Sequence, residues 1–285
     1  MPTRSVPVAI VKGMGDLGTG VAYRLWRAGF RVLGIDLPRP TVIRRSVAFA
    51  TALYDGRITV EGAQAERIHF VDEAIYVWGH RGIPVLADPE ARAVSALGPE
   101  VLVDATLAKR NTGTHLDDAP VVIACGPGFT VGSDCHAIVE TLRGHDLGRV
   151  LWQGSAAPNT GVPGEVGGES ARRIVRAPEA GMVIGRRAIG DVVAVGDVVA
   201  EIVPEGQGAA RHTARHVEVT AGLAGVLRGL IHDGVIATAG MKIGDIDPRA
   251  RPEYCFTISD KALAVGGGVV EAALALRSSY AGRLA

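Results

Sequence analysis

A glycine cluster, Gly13-Met14-Gly15-Asp16-Leu17-Gly18, stands directly behind the apolar run at residues 6–11. A strand that ends in G-x-G-x-x-G and opens a helix builds a cradle for a nucleotide phosphate. Gly13 permits the sharp turn, Gly15 lets main-chain N–H groups come close to a phosphate, and Gly18 lets the helix sit tight on the strand. The helix N-terminus adds unpaired N–H groups and a partial positive charge. Asp36 ends the next strand, at the spacing where an acidic group binds a ribose hydroxyl. Asp16 lies at the mouth of the helix. Its carboxylate either caps the N–H groups that a pyrophosphate would use or meets the ligand through a metal or water.

Short apolar runs alternate with helical patterns through the first half of the chain. Residues 6–11, 31–36, 83–87, 101–104 and 121–124 read as buried strands, 58–60 as a short extended piece, and 16–28, 41–53, 73–78 and 90–96 as helices. This alternation predicts an α/β domain with a Rossmann-like parallel sheet covered on both faces. Two further loops then fall at carboxyl ends of strands, where open α/β sheets bind ligands. One is Gly126-Pro127-Gly128-Phe129-Thr130-Val131-Gly132, expected to face the first glycine loop across a crevice. The other, Asp104-Ala105-Thr106-Leu107-Ala108-Lys109-Arg110-Asn111, brings Asp104, Thr106 and the anion-steering Lys109 and Arg110 towards the same place.

The pattern changes after residue 136. Runs at 137–142 and 149–153 flank Gly144-His145-Asp146-Leu147-Gly148 and predict a hairpin, and the Gly- and Pro-rich residues 156–169 read as a long loop. Beyond it, Ala177-Pro178-Glu179-Ala180-Gly181 with residues 189–202 is echoed by Ala221-Gly222-Leu223-Ala224-Gly225 with residues 233–246. This repeat resembles the two halves of a biotinyl/lipoyl-type barrel-sandwich module. A carrier of that kind needs a lysine at the turn between the halves. Residues 203–216 contain none, and Lys242 lies inside the second half, so the module reads as structural or partner-docking. Ser259 is a good N-cap for a final helix over 260–276. The expected domains are thus 1–170, nucleotide-binding; 171–250, the β module; and 251–285, a C-terminal segment packing on the first domain.

Composition narrows the function. Thirty basic residues balance thirty acidic ones in 285, and aromatics make up 5%, which disfavours nucleic acid and anionic membranes as partners. No apolar stretch is long enough to span a bilayer and no signal-type leader is evident. An odd count of three cysteines without metal spacing predicts a reduced cytoplasm and no metal site. Other candidates read as ordinary structure. Arg44 and Arg45 suit a phosphate or a solvated helix start, and His145 and Asp146 are loop-tip groups. Asp134, Cys135 and His136 are too close in sequence to ligate one metal together, and Cys125 reads as a small buried hydrophobe.

Several blocks together carry a resemblance. They are Lys12-Gly13-Met14-Gly15-Asp16-Leu17-Gly18-Thr19-Gly20, Ile43-Arg44-Arg45, Val47-Ala48-Phe49, Tyr54-Asp55-Gly56, Val60-Glu61-Gly62, Asp104-Ala105 with Lys109-Arg110-Asn111, and Gly126-Pro127-Gly128-Phe129. Glu140-Thr141-Leu142-Arg143-Gly144-His145-Asp146-Leu147-Gly148, Lys242-Ile243-Gly244-Asp245-Ile246-Asp247-Pro248-Arg249 and Ser259-Asp260-Lys261-Ala262 complete the set. Over almost its full length the chain resembles the selenium-dependent molybdenum hydroxylase system proteins, a bacterial accessory family. The resemblance implies a cytoplasmic factor that helps mature a client molybdenum hydroxylase, similar to the xanthine dehydrogenase accessory factors, which also carry a Rossmann-type domain. It carries over Gly13, Gly15, Asp16, Asp104, Lys109, Gly126 and Gly128 as contact positions.

The expected ligand is a nucleotide-like small molecule, either NAD(P)-like or the nucleotide part of a molybdenum cofactor, and a homo-oligomer is an open expectation. Two alternatives stand beside this one. The first is an NAD(P)-dependent oxidoreductase with Asp36 on the adenosine ribose. The second is a non-catalytic interaction scaffold. No residue is assigned a catalytic role, and whether the chain is an enzyme stays open.

Overall fold

The computed structural model describes residues 6–161, 165–204 and 215–284. The chain forms two compact units. The first comprises residues 1–40, 48–160 and 258–285; the second, residues 41–47 and 161–257.

In the first unit the order is β1 (Val8–Lys12), α1 (Asp16–Arg27), β2 (Arg31–Asp36), α2 (Ala52–Asp55), β3 (Arg57–Val60), β4 (Ala63–Ile68), α3 (Ala74–Gly79), β5 (Ile83–Ala87), α4 (Arg92–Leu97), β6 (Val101–Asp104), β7 (Val121–Cys125), β8 (Ala137–Val139) and β9 (Val150–Leu151), with α5 (Asp260–Leu284) closing it. The sheet order is β3-β4-β5-β2-β1-β6-β7-β8-β9. β6 and β7 are buried along their whole length, which is why they read as unbroken apolar runs. Ile10, Leu33, Ile35, Leu102, Val122 and Ile138 share a core with Ala74, Val77, Ala93 and Val94 of α3 and α4. α1 buries Leu17, Val21, Ala22 and Leu25, and its Gly20 lets the main chain of α5 at Ala262 approach where any side chain would collide. The hydroxyl of Ser259 accepts the N–H of Ala262 at 3.2 Å, capping α5. Among the described residues no helix is long and apolar enough to cross a membrane.

The expected Rossmann-like parallel sheet needs correction. The nine strands form a mixed sheet, parallel from β4 to β8 and ended on both edges by antiparallel pairs, β3 with β4 and β8 with β9. The reason is local. Parallel pairing needs a long crossover, whereas a tight turn reverses the chain in place. Glu61 and Gly62, at φ 46° and 81°, make such a turn between β3 and β4.

The second unit holds β10 (Ile174–Arg176), β11 (Gly181–Gly185), β12 (Val192–Val193), β13 (Val198–Pro204), β14 (Val217–Thr220), β15 (Gly225–Leu230), β16 (Ile236–Ala237) and β17 (Lys242–Asp247). They form two four-stranded antiparallel sheets, β10-β17-β15-β12 and β14-β13-β11-β16. The expected barrel-sandwich is therefore corrected to two open sheets of linear strand order. Most of the turn expected between its halves, residues 205–214, lies outside the described residues.

The helix expected over 41–53 is broken. Only short helical turns at Arg45–Val47 and Phe49–Thr51 and the four residues of α2 form there. Residues 41–47 belong to the second unit, where side chains hold them to main-chain carbonyls. Arg44 donates to Tyr254 and Thr257, Arg45 to Leu230 and Ser46 to Cys255.

Candidate functional site

Three adjacent strands, β1, β6 and β7, end in loops on the same side of the sheet because they run parallel. Gly13, at φ 88°, turns the chain out of β1, and its N–H is held by the carbonyl of Ile35 at 2.8 Å. A Cβ at Gly13 would stand 2.7 Å from the Cα of Thr106, and one at Gly18 would stand 1.8 Å from the carbonyl oxygen of Gly13. Both positions need glycine so that helix, first loop and β6 loop can pack together. Gly15 is the N-cap of α1, in extended backbone with no side-chain cap. Among the described residues the N–H groups of Gly15, Leu17 and Gly18 meet no partner from the chain, the state that makes a helix start attractive to an anion.

Asp36 reaches back into this loop. Its carboxylate accepts the N–H of Met14 at 2.6 Å and that of Leu37 at 2.7 Å. Burial pushes the carboxyl above its ordinary value, against these two bonds. Asp16 is half-buried in the first turn of α1. Its charge reaches Lys261, at the start of α5. Burial, then Arg143, holds the Lys261 ammonium below its usual value, opposed by Asp16, Glu140 and Asp260.

Asp104 is completely buried and organises the middle loop. It accepts the N–H and hydroxyl of Thr106 at 3.1 and 2.6 Å and the hydroxyl of Thr114 at 2.6 Å, and it faces the ammonium of Lys12 at 3.6 Å. Asn111 completes the order by accepting the N–H groups of Gly113 and Thr114 and donating to Asp134. Leu107 and Lys109 adopt φ of 54° and 63°, a left-handed backbone that side chains disfavour. Lys109 and Arg110 are exposed.

The second glycine loop meets the far end of this middle loop. A Cβ at Gly128, φ 107°, would stand 2.6 Å from the Cα of Arg110, and one at Gly126 would stand 2.5 Å from the hydroxyl of Thr141. The β6 loop thus touches both glycine loops, through Thr106 on one side and Arg110 on the other. The two glycine loops do not meet directly. β6 lies between β1 and β7, which separates their strand ends by about 10 Å.

Several sequence candidates serve elsewhere. Arg44 and Arg45 clamp the second unit, as described above. Arg149 donates to Asp146 at 2.6 Å on an exposed turn beside His145. Asp134 accepts the N–H of Thr130, while the Nδ1 of His136 accepts that of Val122. Cys125 and Cys135 are buried, and burial pushes both thiols up. Among the described residues no three His, Cys, Asp or Glu side chains gather as a metal site.

Sequence reasoning gave Lys12 and Lys261 no site role, although both stand in blocks that carry the resemblance. Lys12 had a signal, a lysine closing a buried strand just before the glycines. Nothing in the local pattern tied Lys261 to the first glycine loop, because only the packing of α5 on α1 brings it near.

No family model matches the chain. It is 47% identical over 269 residues to a protein of Escherichia coli strain K12 described as the uncharacterized protein YqeB. That alignment takes in 94% of this chain and 48% of the relative, so the chain spans about half the length of the curated relative it matches. Among solved structures, an aspartoacylase family protein from Mesorhizobium loti is similar at TM-score 0.28 and 10% identity, with 85% of each chain covered. The ectoine utilization protein EutE (DoeB) from Ruegeria pomeroyi is similar at TM-score 0.28 and 11% identity, again with 85% of each chain covered. A succinylglutamate desuccinylase/aspartoacylase from Rhodobacter sphaeroides reaches TM-score 0.23 and 18% identity over 27% of this chain and 22% of its own.

These findings correct the expected family. The neighbours named above are two desuccinylase/aspartoacylase family proteins and an ectoine utilization protein, none of them a molybdenum hydroxylase accessory factor, and the curated relative is described as uncharacterized. The maturation role, with its molybdenum and selenium chemistry, is withdrawn, and the oxidoreductase and scaffold alternatives gain no support. At TM-scores this low the likeness does not assign hydrolysis to the chain either.

Proposed function

We propose that the first unit binds a small anionic, nucleotide-like molecule at the carboxyl ends of β1, β6 and β7. The observation that supports this most is the shared middle loop, pressed against Gly13 at one end and Gly128 at the other. In this reading the N–H groups of Gly15, Leu17 and Gly18 receive the anion. The exposed Lys109 and Arg110 supply positive potential, while the charge of Lys12, at the end of β1, is offset by Asp104. Asp36 holds the first loop in shape through Met14 rather than acting on the ligand's charge. The left-handed backbone at Leu107 and Lys109 fits this use, since strain of that kind gathers at ligand-handling loops. The compartment assigned is the cytoplasm, supported by three cysteines that are all free and buried.

Calorimetric titration with adenosine 5′-monophosphate tests the proposal. Gly15→Val places a branched side chain at a position whose backbone is already extended, so the fold survives and the anion is blocked. The expected loss of affinity is about tenfold or more, equivalent to at least about 1.4 kcal/mol, with an unchanged melting temperature. Equal affinity in the variant, or no binding by the unmodified protein, overturns the reading.

A further inference from the structure

A cavity of about 440 Å³ opens at the carboxyl end of β5, within the range of about 300–1,000 Å³ common for small-molecule sites. It lies between the turn after β4 and the first turns of α4. Phe70, Leu86 and Ala96 provide apolar wall, and His69, Asp88 and Arg92 provide polar rim. Two features say what it takes.

The first is its charge character. Asp88 is buried and already accepts the N–H groups of Arg92 and Ala93, at 3.0 and 2.8 Å. The start of α4 is therefore closed to an anion, and the anionic end of a ligand has its place elsewhere. Phe70 stands at its edge with 68% of its surface exposed. An aromatic side chain left in water beside a hollow lined by both apolar and polar groups is a platform for a planar ring that also carries hydrogen-bonding edges.

The second feature is its continuity with the glycine loop. Ala87 pairs with Asp36 across β5 and β2, and the N–H of Asp88 donates to the carbonyl of Asp36 at 2.9 Å. Asp36 in turn holds Met14. A molecule whose anionic end sits at α1 reaches this cavity by passing over Asp36, one strand spacing of about 4.8 Å further along.

We infer that the cavity receives a planar heteroaromatic ring, the base of the nucleotide-like molecule, an inference that rests on the proposed anion site. The ring lies against Phe70 and the apolar wall, and His69, Glu90 and Arg92 offer hydrogen-bonding groups at the rim.

The test uses the whole chain and three probes in calorimetry: adenosine 5′-monophosphate, ribose 5-phosphate and adenosine. Ala96→Trp fills the cavity from an exposed helix position, and Phe70→Ala removes the platform. Both variants are expected to weaken the nucleotide about tenfold and to leave ribose 5-phosphate unaffected, whereas Gly15→Val weakens both phosphates. Nucleotide affinity unchanged by Ala96→Trp and Phe70→Ala overturns the inference while leaving the anion site standing. Should neither phosphate bind, the anion site fails and adenosine decides. Binding that Ala96→Trp abolishes upholds the cavity, and no adenosine binding overturns it.

Discussion

Three carboxylates of the first unit and two of the second are held by different kinds of partner. In the first, Asp36, Asp88 and Glu140 accept main-chain N–H groups, Glu140 from Thr141, Leu142 and Ala157. In the second, Asp245 and Asp247 on β17 pair with side-chain cations. Arg173 and Lys242 meet Asp245, and Arg228 and Arg249 meet Asp247. Main-chain bonds fix the path of a loop, whereas cationic pairs tie one strand to the next. The first unit thus keeps shaped loops at its strand ends with lysines nearby, and the second gathers buried charge along β17 and its neighbour β15 within one sheet. The same contrast appears in acidity. Burial raises the Asp36 carboxyl. Burial also acts on Asp247, but the bonds and charge of Arg249 and the charge of Arg228 outweigh it and bring that carboxyl below its ordinary value.

The largest test of this contrast is Asp247→Ala. Asp247 is 1% exposed and its partner Arg228 9%, so removing one member of the pair costs about 3–5 kcal/mol, read from urea unfolding at neutral pH. Its pH dependence has a definite sign. With a folded value below the unfolded one, the stabilisation is present above the unfolded value and disappears as pH falls through the folded one. A unit-2 transition whose acid loss is identical in the variant would break the comparison.

Asp36→Asn sharpens it from the other side. An amide oxygen replaces one acceptor, but the amide nitrogen then faces the second N–H donor, at a cost of about 1–3 kcal/mol. Here the sign reverses. The folded state holds its proton to higher pH than the unfolded state, so stability from this group declines as pH rises from the ordinary value of 3.8 through the raised one. Subtracting the Asn variant's pH profile from that of the unmodified protein isolates this slope, and a slope of opposite sign refutes the assignment. The smallest effect is Ser259→Ala, which removes a single cap from α5 for about 1 kcal/mol. Thermal melts place it on the scale, and a cost matching that of Asp247→Ala would show that caps rival buried ion pairs here.

Much of the local structure was legible. The apolar runs that became β1, β2, β5, β6 and β7 announced themselves because strands buried on both faces have no polar alternation. β4 was missed. Its Ala-Gln-Ala-Glu-Arg-Ile sequence is poor in β-branched residues and pairs because its neighbours provide two partners. The helix read over 41–53 failed because Arg44, Arg45 and Ser46 answer to carbonyls some 185–213 positions away, a distance no local pattern reports.

By itself the sequence determined where the backbone must turn sharply or pass close to another segment. A missing Cβ at Gly13 or Gly128 is a steric fact carried by one residue. Only the tertiary structure decided which loop would lie against those glycines, that β6 would separate them, and that Lys261 would come under the influence of Asp16. Strand order and helix packing are settled by burial summed over the whole chain, and no window of neighbouring residues contains that sum.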